Sequence, residues 1–234
     1  VILNLVFVVS FSLDVAGVAL ATIISQYISA ALVVRCMLRE QGPLHLELKR
    51  LGLQKNVVLL ILKVGLPAGF QGVVFSLSNV VIQSTLNSFD DAVLVAGSAA
   101  SANIENFVYV SMNAFHQAAI SFVGQNYGAA KCDRVDKVGW QCAIYASLFG
   151  LVFGNLVYLF GAPLAGIYAP GEPEVVRQAL IRMSYIACPY FICGIMEVLV
   201  GVLRGLGSSV IPMAVSIVGV CGLRLLWVAA VFPL

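Results

Sequence analysis

The sequence predicts an all-α fold, a polytopic bundle of transmembrane helices, and two observations predict it. Hydrophobic residues make up 61% of the 234 residues and charged residues only 10%, whereas an ordinary soluble domain has about 45–50% and about 25%. The charged residues also alternate in sign from one loop to the next. Because the mean hydropathy of +0.99 arises from apolar runs along the whole chain, we expect a multi-pass protein in the lipid bilayer of a cell membrane.

Seven apolar stretches have, or nearly have, the roughly 20 residues that a membrane-spanning helix needs. The first is partial, the second carries no charge, and the third and fourth carry one charge each. In order they cover residues 1–13, 15–34, 56–89, 92–124, 139–168, 175–203 and 208–234. Because the apolar pattern is already present at Val1 and continues to Leu234, we expect the chain to be part of a longer one.

The charges in the loops predict the topology. Lysine and arginine cluster in residues 35–55 and 131–137 and recur at Arg204. The alternate loops contain acidic residues instead, at positions 14, 90–91 and 172–174. Loops rich in lysine and arginine stay in the cytoplasm. Every loop obeys one assignment, which supports the predicted number of segments.

Polar residues interrupt the third and fourth apolar stretches at helical spacing. The fourth carries an amide stripe of Asn103, Asn106, Asn113 and Gln117, and beside it a stripe of Glu105, Tyr109, Met112 and His116; the third carries Asn79 and Gln83 on one face. Polar residues within a membrane face the bundle interior or a water-filled cavity. Interhelical hydrogen bonds, worth about 0.6 kcal/mol each on average, are the alternative. So many amides on two helices favour a shared, hydrated cleft.

Four charged residues fall at membrane depth, namely Glu105, Arg182, Glu197 and Arg224. Each costs several kcal/mol if it is unpaired, so we expect each to have a partner. One interpretation is a structural network in which Arg182 and Arg224 are the charge partners of the glutamates. The other is that Glu105 or Glu197 exchanges a proton or binds sodium.

Several functional classes are excluded by what the sequence lacks. It has no HExxH, GxSxG, Walker A or GxGxxG motif and no polar segment large enough to bind a nucleotide. Its six cysteines form no CxxC pair and no metal-ligand spacing, and a net charge of +2 gives no electrostatic footprint for nucleic acid. We therefore expect no enzymatic activity, no metal site, no cofactor and no nucleic-acid partner.

Three stretches resemble the multidrug and toxic compound extrusion (MATE) family. They read GLPAGFQGVVFSLSNVVIQSTLNSF, GSAASANIENFVYVSMNAFHQAAISFVGQNYGA and GIMEVLVGVLRGLGSSVIPM. A fourth, AGVALATIISQ at residues 16–26, resembles the end of that family's amino-terminal lobe. The strongest pieces, FVGQNYGAAK and VLRGLGSSVIP, lie at predicted inner loops. The resemblance covers essentially the whole chain and is closest to the bacterial branch of sodium-driven efflux pumps.

The resemblance implies part of a two-lobed transporter of twelve helices, from the end of helix five to helix eleven. Residues 1–38 would end the amino-terminal lobe and residues 39–55 would form the cytoplasmic linker between the lobes. Residues 56–234 would form the carboxy-terminal lobe. The missing amino-terminal helices of the same chain would then be its partner across the cleft.

The resemblance also implies the function, a secondary active antiporter that exports small amphipathic or cationic drugs in exchange for sodium or protons. The polar stripes would line the substrate cleft, and Glu105 and Glu197 would couple substrate release to ion entry. Some members bind a cation with a glutamate on helix seven, whose place by this resemblance falls near Phe75, and some with an aspartate on helix ten, whose place falls near Cys193, one turn from Glu197. The family's carboxy-lobe cation site is therefore not reproduced, and Glu105 is the first candidate for coupling.

Two alternatives to drug export stay open. A lipid-linked sugar or lipid exporter of related two-lobed plan would need a more basic cavity, because its substrates carry phosphate. Only Arg182 and Arg224 are available for that purpose in the predicted cleft. A non-transporting membrane scaffold would use the polar groups only to hold its helices together.

Overall fold

The structure, a computed structural model, describes residues 3, 6–7, 14–42, 45–47, 52–187 and 189–231. Helices make up 88% of it, and the described part contains no strand. The predicted all-α transmembrane class is therefore confirmed. The predicted first apolar segment, residues 1–13, lies almost wholly outside the described residues.

The chain forms two compact units, Val1–Lys55 and Asn56–Leu234. In the first unit, helix α1 spans Asp14–Arg39. The assignment of the units to two lobes and a linker stays a prediction. The second unit contains the remaining helices and every residue of the candidate site described below.

The helices of the second unit follow the predicted apolar stretches closely. Each predicted stretch corresponds to one helix or to a broken pair. The helices are α2 (Lys55–Asn87), α3 (Ala92–Gly128), α4 (Cys132–Leu159), α5 (Gly161–Tyr168), α6 (Pro173–Ala187), α7 (Tyr190–Gly205), α8 (Val210–Val215) and α9 (Leu223–Val231). A π-helical segment, Ser216–Gly222, joins α8 to α9, so that these three pieces run on as one helix.

Within the described residues, four helices are long and apolar enough to cross a membrane: α1 over Ala16–Arg39, α2, α4, and the composite helix over Val210–Ala230. A fifth span results if α6 and α7, which are bent by 55° with respect to each other, count as one. Helix α3 is the longest, with 37 residues, but it is absent from this set. Its polar residues lower its hydropathy, and it packs against α4, α6 and α7.

Small residues allow the helices of the core to approach one another closely. Buried alanines fill the contacts among α3, α4 and α7 and those of α3 with α5 and α6. A Cβ atom added at Gly201 of α7 would lie 2.8 Å from the His116 carbonyl oxygen of α3, and one at Gly194 would lie 3.0 Å from the Ala146 carbonyl oxygen of α4. Close backbone approach through small residues is the usual mode of helix packing in membranes.

Helix α2 is held in a different way. Its apolar side chains, such as Leu62, Leu66 and Phe70, are at least half exposed, and polar side chains form its hydrogen bonds to other helices. Among the described residues, Gln71 and Asn79 are the two residues of α2 that form these bonds. Because polar side chains rather than close-packed backbones join α2 to its neighbours, a space is left between α2 and the α3–α7 pair.

Candidate functional site

A cavity of about 860 Å³ occupies the space between α2, α3, α7 and the composite helix. Pockets that bind drug-sized ligands have volumes of about 300–1,000 Å³, so the cavity is large enough for such a ligand. Its lining combines amides, aromatic rings, two carboxylates and two guanidinium groups. The lining residues are Ala68, Gln71, Gly72, Phe75, Asn79, Ala102, Glu105, Asn106, Tyr109, Asn113, His116, Gln117, Tyr190, Cys193, Met196, Glu197, Val200, Arg204, Ser216, Val220 and Arg224.

Helix α3 contributes the largest share of the lining, and most of the residues predicted on it are there. The predicted residues in the cavity wall are Glu105, Asn106, Tyr109, Asn113, His116 and Gln117. With 3.6 residues per turn, they occupy an arc of about 120° around the helix. The face of α3 that lines the cavity therefore contains some residues of each predicted stripe.

Three residues expected in the lining lie elsewhere. Met112 is fully buried and packs on α4, where its sulfur would lie 3.0 Å from a Cβ atom at Gly150. Asn103 is exposed on α3 but outside the cavity wall. Both residues fall just beyond opposite edges of the 120° arc. Gln83 lies about one turn beyond Asn79, the last lining residue of α2, and its amide donates to Asn87 of the same helix at 3.2 Å.

Glu197 projects from α7 beside His116. The His116 side chain is 4% exposed and the Glu197 side chain 16%. His116 Nδ1 donates to the Glu197 carbonyl oxygen at 2.6 Å and lies 3.5 Å from the Glu197 carboxylate. The hydroxyl of Tyr109 donates to the same carboxylate at 3.4 Å. In the described part of the chain, no lysine or arginine pairs with Glu197.

Arg204 continues this network to α2. One of its terminal nitrogens lies 3.5 Å from His116 Nε2, and the other donates to Gln71 Oε1 at 2.8 Å. Gln71 Nε2 in turn donates to the Ser216 hydroxyl at 2.8 Å. The Glu197 carbonyl oxygen accepts at Nδ1 and the Arg204 guanidinium donates at Nε2, which assigns the imidazole proton to Nδ1. One chain of hydrogen bonds thus joins four elements: α3, α7, α2 and the π-helical segment that contains Ser216. Such π-helical segments are frequent at functional sites.

The other glutamate, Glu105, has a cationic partner. Arg182 of α6 lies 3.4 Å from its carboxylate, and the Ser101 hydroxyl donates to the same carboxylate at 2.5 Å. Arg182 also donates to the carbonyl and hydroxyl oxygens of Ser98. The expected pairing of Arg182 with a membrane-depth glutamate is present, and it ties α6 to α3.

Arg224, the second expected charge partner, is placed differently. It projects from α9 into the cavity wall and donates to Asn79 Oδ1 at 2.9 Å. It forms no ion pair with a carboxylate of the described residues, because Glu105 is already paired and Glu197 is held by His116 and Tyr109.

Phe75 and Cys193 both line the cavity. Neither carries a carboxylate, and Glu197 provides one from the same wall, one turn beyond Cys193.

Arg204 lines the cavity although its position in the sequence predicts a basic inner loop. It lies in the last turn of α7, and its side chain is part of the cavity wall. A periodic signal for it exists: Tyr190, Cys193, Glu197 and Arg204 follow at i, i+3, i+7 and i+14 on one face of α7. Ser216 has no comparable signal, because a lone serine in an apolar run is common in membrane helices.

The comparisons with known proteins agree with this architecture. The MatE family model matches residues 67–228. The chain is 26% identical over 216 residues to the probable multidrug resistance protein NorM of Thermotoga maritima, covering 91% of this chain and 45% of that protein. It is 28% identical over 228 residues to the probable multidrug resistance protein YpnP of Bacillus subtilis, covering 96% and 50%.

Among solved structures, a mutant of the Vibrio cholerae MATE transporter VcmN superposes with a TM-score of 0.80 at 23% identity. The superposition covers 93% of this chain and 49% of that one, and it shows that the fold is shared. The chain therefore spans about half the length of the proteins it matches.

Proposed function

This chain belongs to the MatE family, and from that premise we propose that it is the cavity-bearing part of a secondary antiporter that exports small amphipathic or cationic drugs. The observation that carries the proposal is the polar cavity of about 860 Å³ between α2, α3, α7 and the composite helix. The names of its relatives, probable multidrug resistance proteins, support the drug class.

The cavity chemistry suits amphipathic ligands. Tyr109 and Tyr190 offer aromatic faces that attract cations, and Met196 adapts its shape to different apolar bodies. Asn106, Asn113 and Gln117 add uncharged donors and acceptors. A wall of this composition binds a ligand through apolar contact and a few hydrogen bonds. Several substrates of different shape could therefore share one site.

Glu197 is the stronger candidate for coupling to sodium or protons. Its carboxylate lines the cavity and contacts Tyr109 and His116, and no lysine or arginine of the described residues pairs with it. Glu105 also lines the cavity, but Arg182 already balances its charge. A proton or sodium ion arriving at Glu197 would change the net charge of the cavity, whereas at Glu105 it would first have to displace a guanidinium group.

We further propose that the chain works together with amino-terminal helices of the same protein, and with the lipid bilayer on its outer side. The exposed apolar side chains of α2 and the composite helix are suited to both contacts. The two parts would rock about the cavity to alternate access, as in other two-lobed transporters.

The test is ethidium flux in proteoliposomes that contain the full-length protein, with a sodium gradient or a proton gradient imposed in turn. We expect one gradient to drive export, and Glu197→Gln to reduce that flux at least tenfold while the protein still purifies folded. The ion whose gradient drives flux identifies the coupling ion.

Two variants serve as controls for this test. Glu105→Gln should lower thermal stability, because Arg182 loses its partner, and Glu174→Gln, on the exposed surface, should change neither flux nor stability. Flux that is unchanged in Glu197→Gln would remove this residue from the coupling mechanism. An absence of flux with either gradient would contradict drug export and favour a lipid exporter or a scaffold.

A further inference from the structure

Two arginines in the cavity wall have hydrogen-bond donors that no group among the described residues uses. A guanidinium group carries five N–H donors. Arg224 makes one hydrogen bond, to Asn79, and Arg204 makes two, to Gln71 and His116. The Nε atom of Arg204 is buried and has no hydrogen-bond partner. Neither arginine lies within ion-pair distance of a carboxylate among the described residues.

Arg182, in the same bundle, differs from these two arginines because a carboxylate balances its charge. Its guanidinium reaches the Glu105 carboxylate and both oxygens of Ser98. A guanidinium at membrane depth without such compensation is costly and marks a functional site by default. Among the described residues, Arg204 and Arg224 contact amide and imidazole groups alone, which orient them without neutralising their charge. Arg224 is the one of the two that the sequence places at membrane depth.

The positions of the two arginines define one side of the cavity. Their amide partners, Gln71 and Asn79, are eight residues apart on α2, which corresponds to about 12 Å along the helix. Both guanidinium groups line the cavity beside α2, while Glu197 projects from α7 and is held by α3 side chains. The α2 side of the cavity therefore carries two guanidinium groups that form no direct ion pair with a carboxylate of the described residues.

We propose that Arg224, supported by Arg204, forms an anion-binding subsite for the carboxylate or phosphate oxygens of an amphipathic ligand. The planar guanidinium fork matches the paired oxygens of such a group. The apolar body of the ligand would lie along Phe75 and Met196, which line the same cavity. This inference rests on the proposed function, since it specifies which chemical group of a substrate the α2 side of the cavity recognises.

The test uses two dyes that differ only at one carboxyl group: rhodamine B, which carries a free carboxylate, and its ethyl ester. Binding of each dye to the full-length protein in lipid nanodiscs is measured by fluorescence anisotropy, for wild type and Arg224→Gln. We expect the variant to bind rhodamine B at least about tenfold more weakly, equivalent to about 1.4 kcal/mol, and to bind the ester within about twofold of wild type. Arg224 is the residue to change, because Arg204 also holds α2 to α7.

Two further variants separate recognition from folding. Arg224→Lys keeps the charge but loses the fork, so it should recover part of the affinity for rhodamine B. Arg177→Gln removes a guanidinium group from an exposed ion pair with Glu174 and should leave both affinities unchanged. A drop in melting temperature in Arg224→Gln with equal loss for both dyes would show that Arg224 pairs within the protein, and it would overturn the subsite.

A free drug-like carboxylate and a lipid phosphate share the chemistry that this subsite recognises. A third probe, a fluorescent short-chain phosphatidic acid, distinguishes the two sources. Weakened binding of rhodamine B and the phosphatidic acid together would support a general oxyanion subsite. Weakened binding of the phosphatidic acid alone would assign the arginines to lipid and overturn recognition of a free amphipathic ligand.

The inference and the proposed function fail in different ways. If wild type binds neither rhodamine nor its ester, no amphipathic dye enters the cavity, and the drug-binding proposal fails first. If wild type binds both dyes and Arg224→Gln weakens neither selectively, drug binding stands and the anion subsite is wrong.

Discussion

Gln71 and Gln83 are the same residue type on the same helix, and the structure gives them different roles. Gln71 is buried and joins three elements, because it accepts a hydrogen bond from Arg204 and donates one to Ser216. Gln83 is exposed and bonds only to Asn87 of its own helix. The difference follows from position along α2, since Gln71 lies opposite α7 and the π-helical segment.

This pair gives a matched prediction at the residue scale. Gln71→Ala removes the amide partner of Ser216 and one of the two hydrogen-bond partners of Arg204, so we expect it to lower the free energy of unfolding by about 1–3 kcal/mol. Gln83→Ala should change it by less than about 0.5 kcal/mol. Thermal melts of the detergent-solubilised protein measure both. Equal melting temperatures for the two variants would show that the Gln71 contacts do not hold α2 in place.

The contact between α3 and α7 depends at the element scale on two glycines four residues apart. A Cβ atom at Gly201 would lie 2.8 Å from the His116 carbonyl oxygen, and one at Gly205 would lie 3.0 Å from the Ile120 carbonyl oxygen. These glycines bring α7 against α3 at the place where His116 bonds to the Glu197 backbone. The geometry of the cavity wall therefore follows from helix packing as well as from its polar residues.

A substitution in this contact should disturb the site as well as the fold. We expect Gly201→Ala to force α7 away from α3, at a cost typical of overpacking, about 1–3 kcal/mol, and to reduce drug flux. Gly69→Ala on α2 is the control, since no atom lies within 4 Å of the added Cβ, and there alanine should be neutral or stabilising. The melting temperature and ethidium flux are the readouts. A Gly201→Ala protein with wild-type stability and flux would contradict the close contact.

Two native cysteines report on solvent access at the scale of the whole molecule. Cys193 lines the cavity, whereas Cys221 is 2% exposed. In proteins that retain a single cysteine, a charged methanethiosulfonate reagent should modify Cys193, because this thiol is partly exposed in the wall of a polar cavity, and should not modify Cys221. Bound rhodamine or ethidium should slow the reaction at Cys193. Mass spectrometry gives the extent of modification, and equal rates for the two thiols would mean that the cavity does not govern access.

Much of the fold follows from the sequence because the requirements of a membrane are strong. Apolar runs of fixed length and the alternation of loop charge predicted helices that the structure contains from α1 to α9, with shifts of a few residues at their ends. Helix α7 begins directly after Pro189, which interrupts the sixth stretch, because proline cannot supply a backbone donor to the turn before it. The polar face of α3 was equally predictable, since helical period alone places Asn106, Asn113 and Gln117 together.

The sequence by itself thus determined the fold class, the approximate helices and the polar face of α3, because these depend on local composition and period. Tertiary structure alone decided that Met112 points into the core and that Gln71 meets Ser216 from 145 residues away. The physical reason is that period fixes which residues share a face, whereas the rotation of each helix about its axis is set by its neighbours. Contacts at glycines such as Gly201 set that rotation, and a few degrees decide whether an edge residue reaches the cavity or the core.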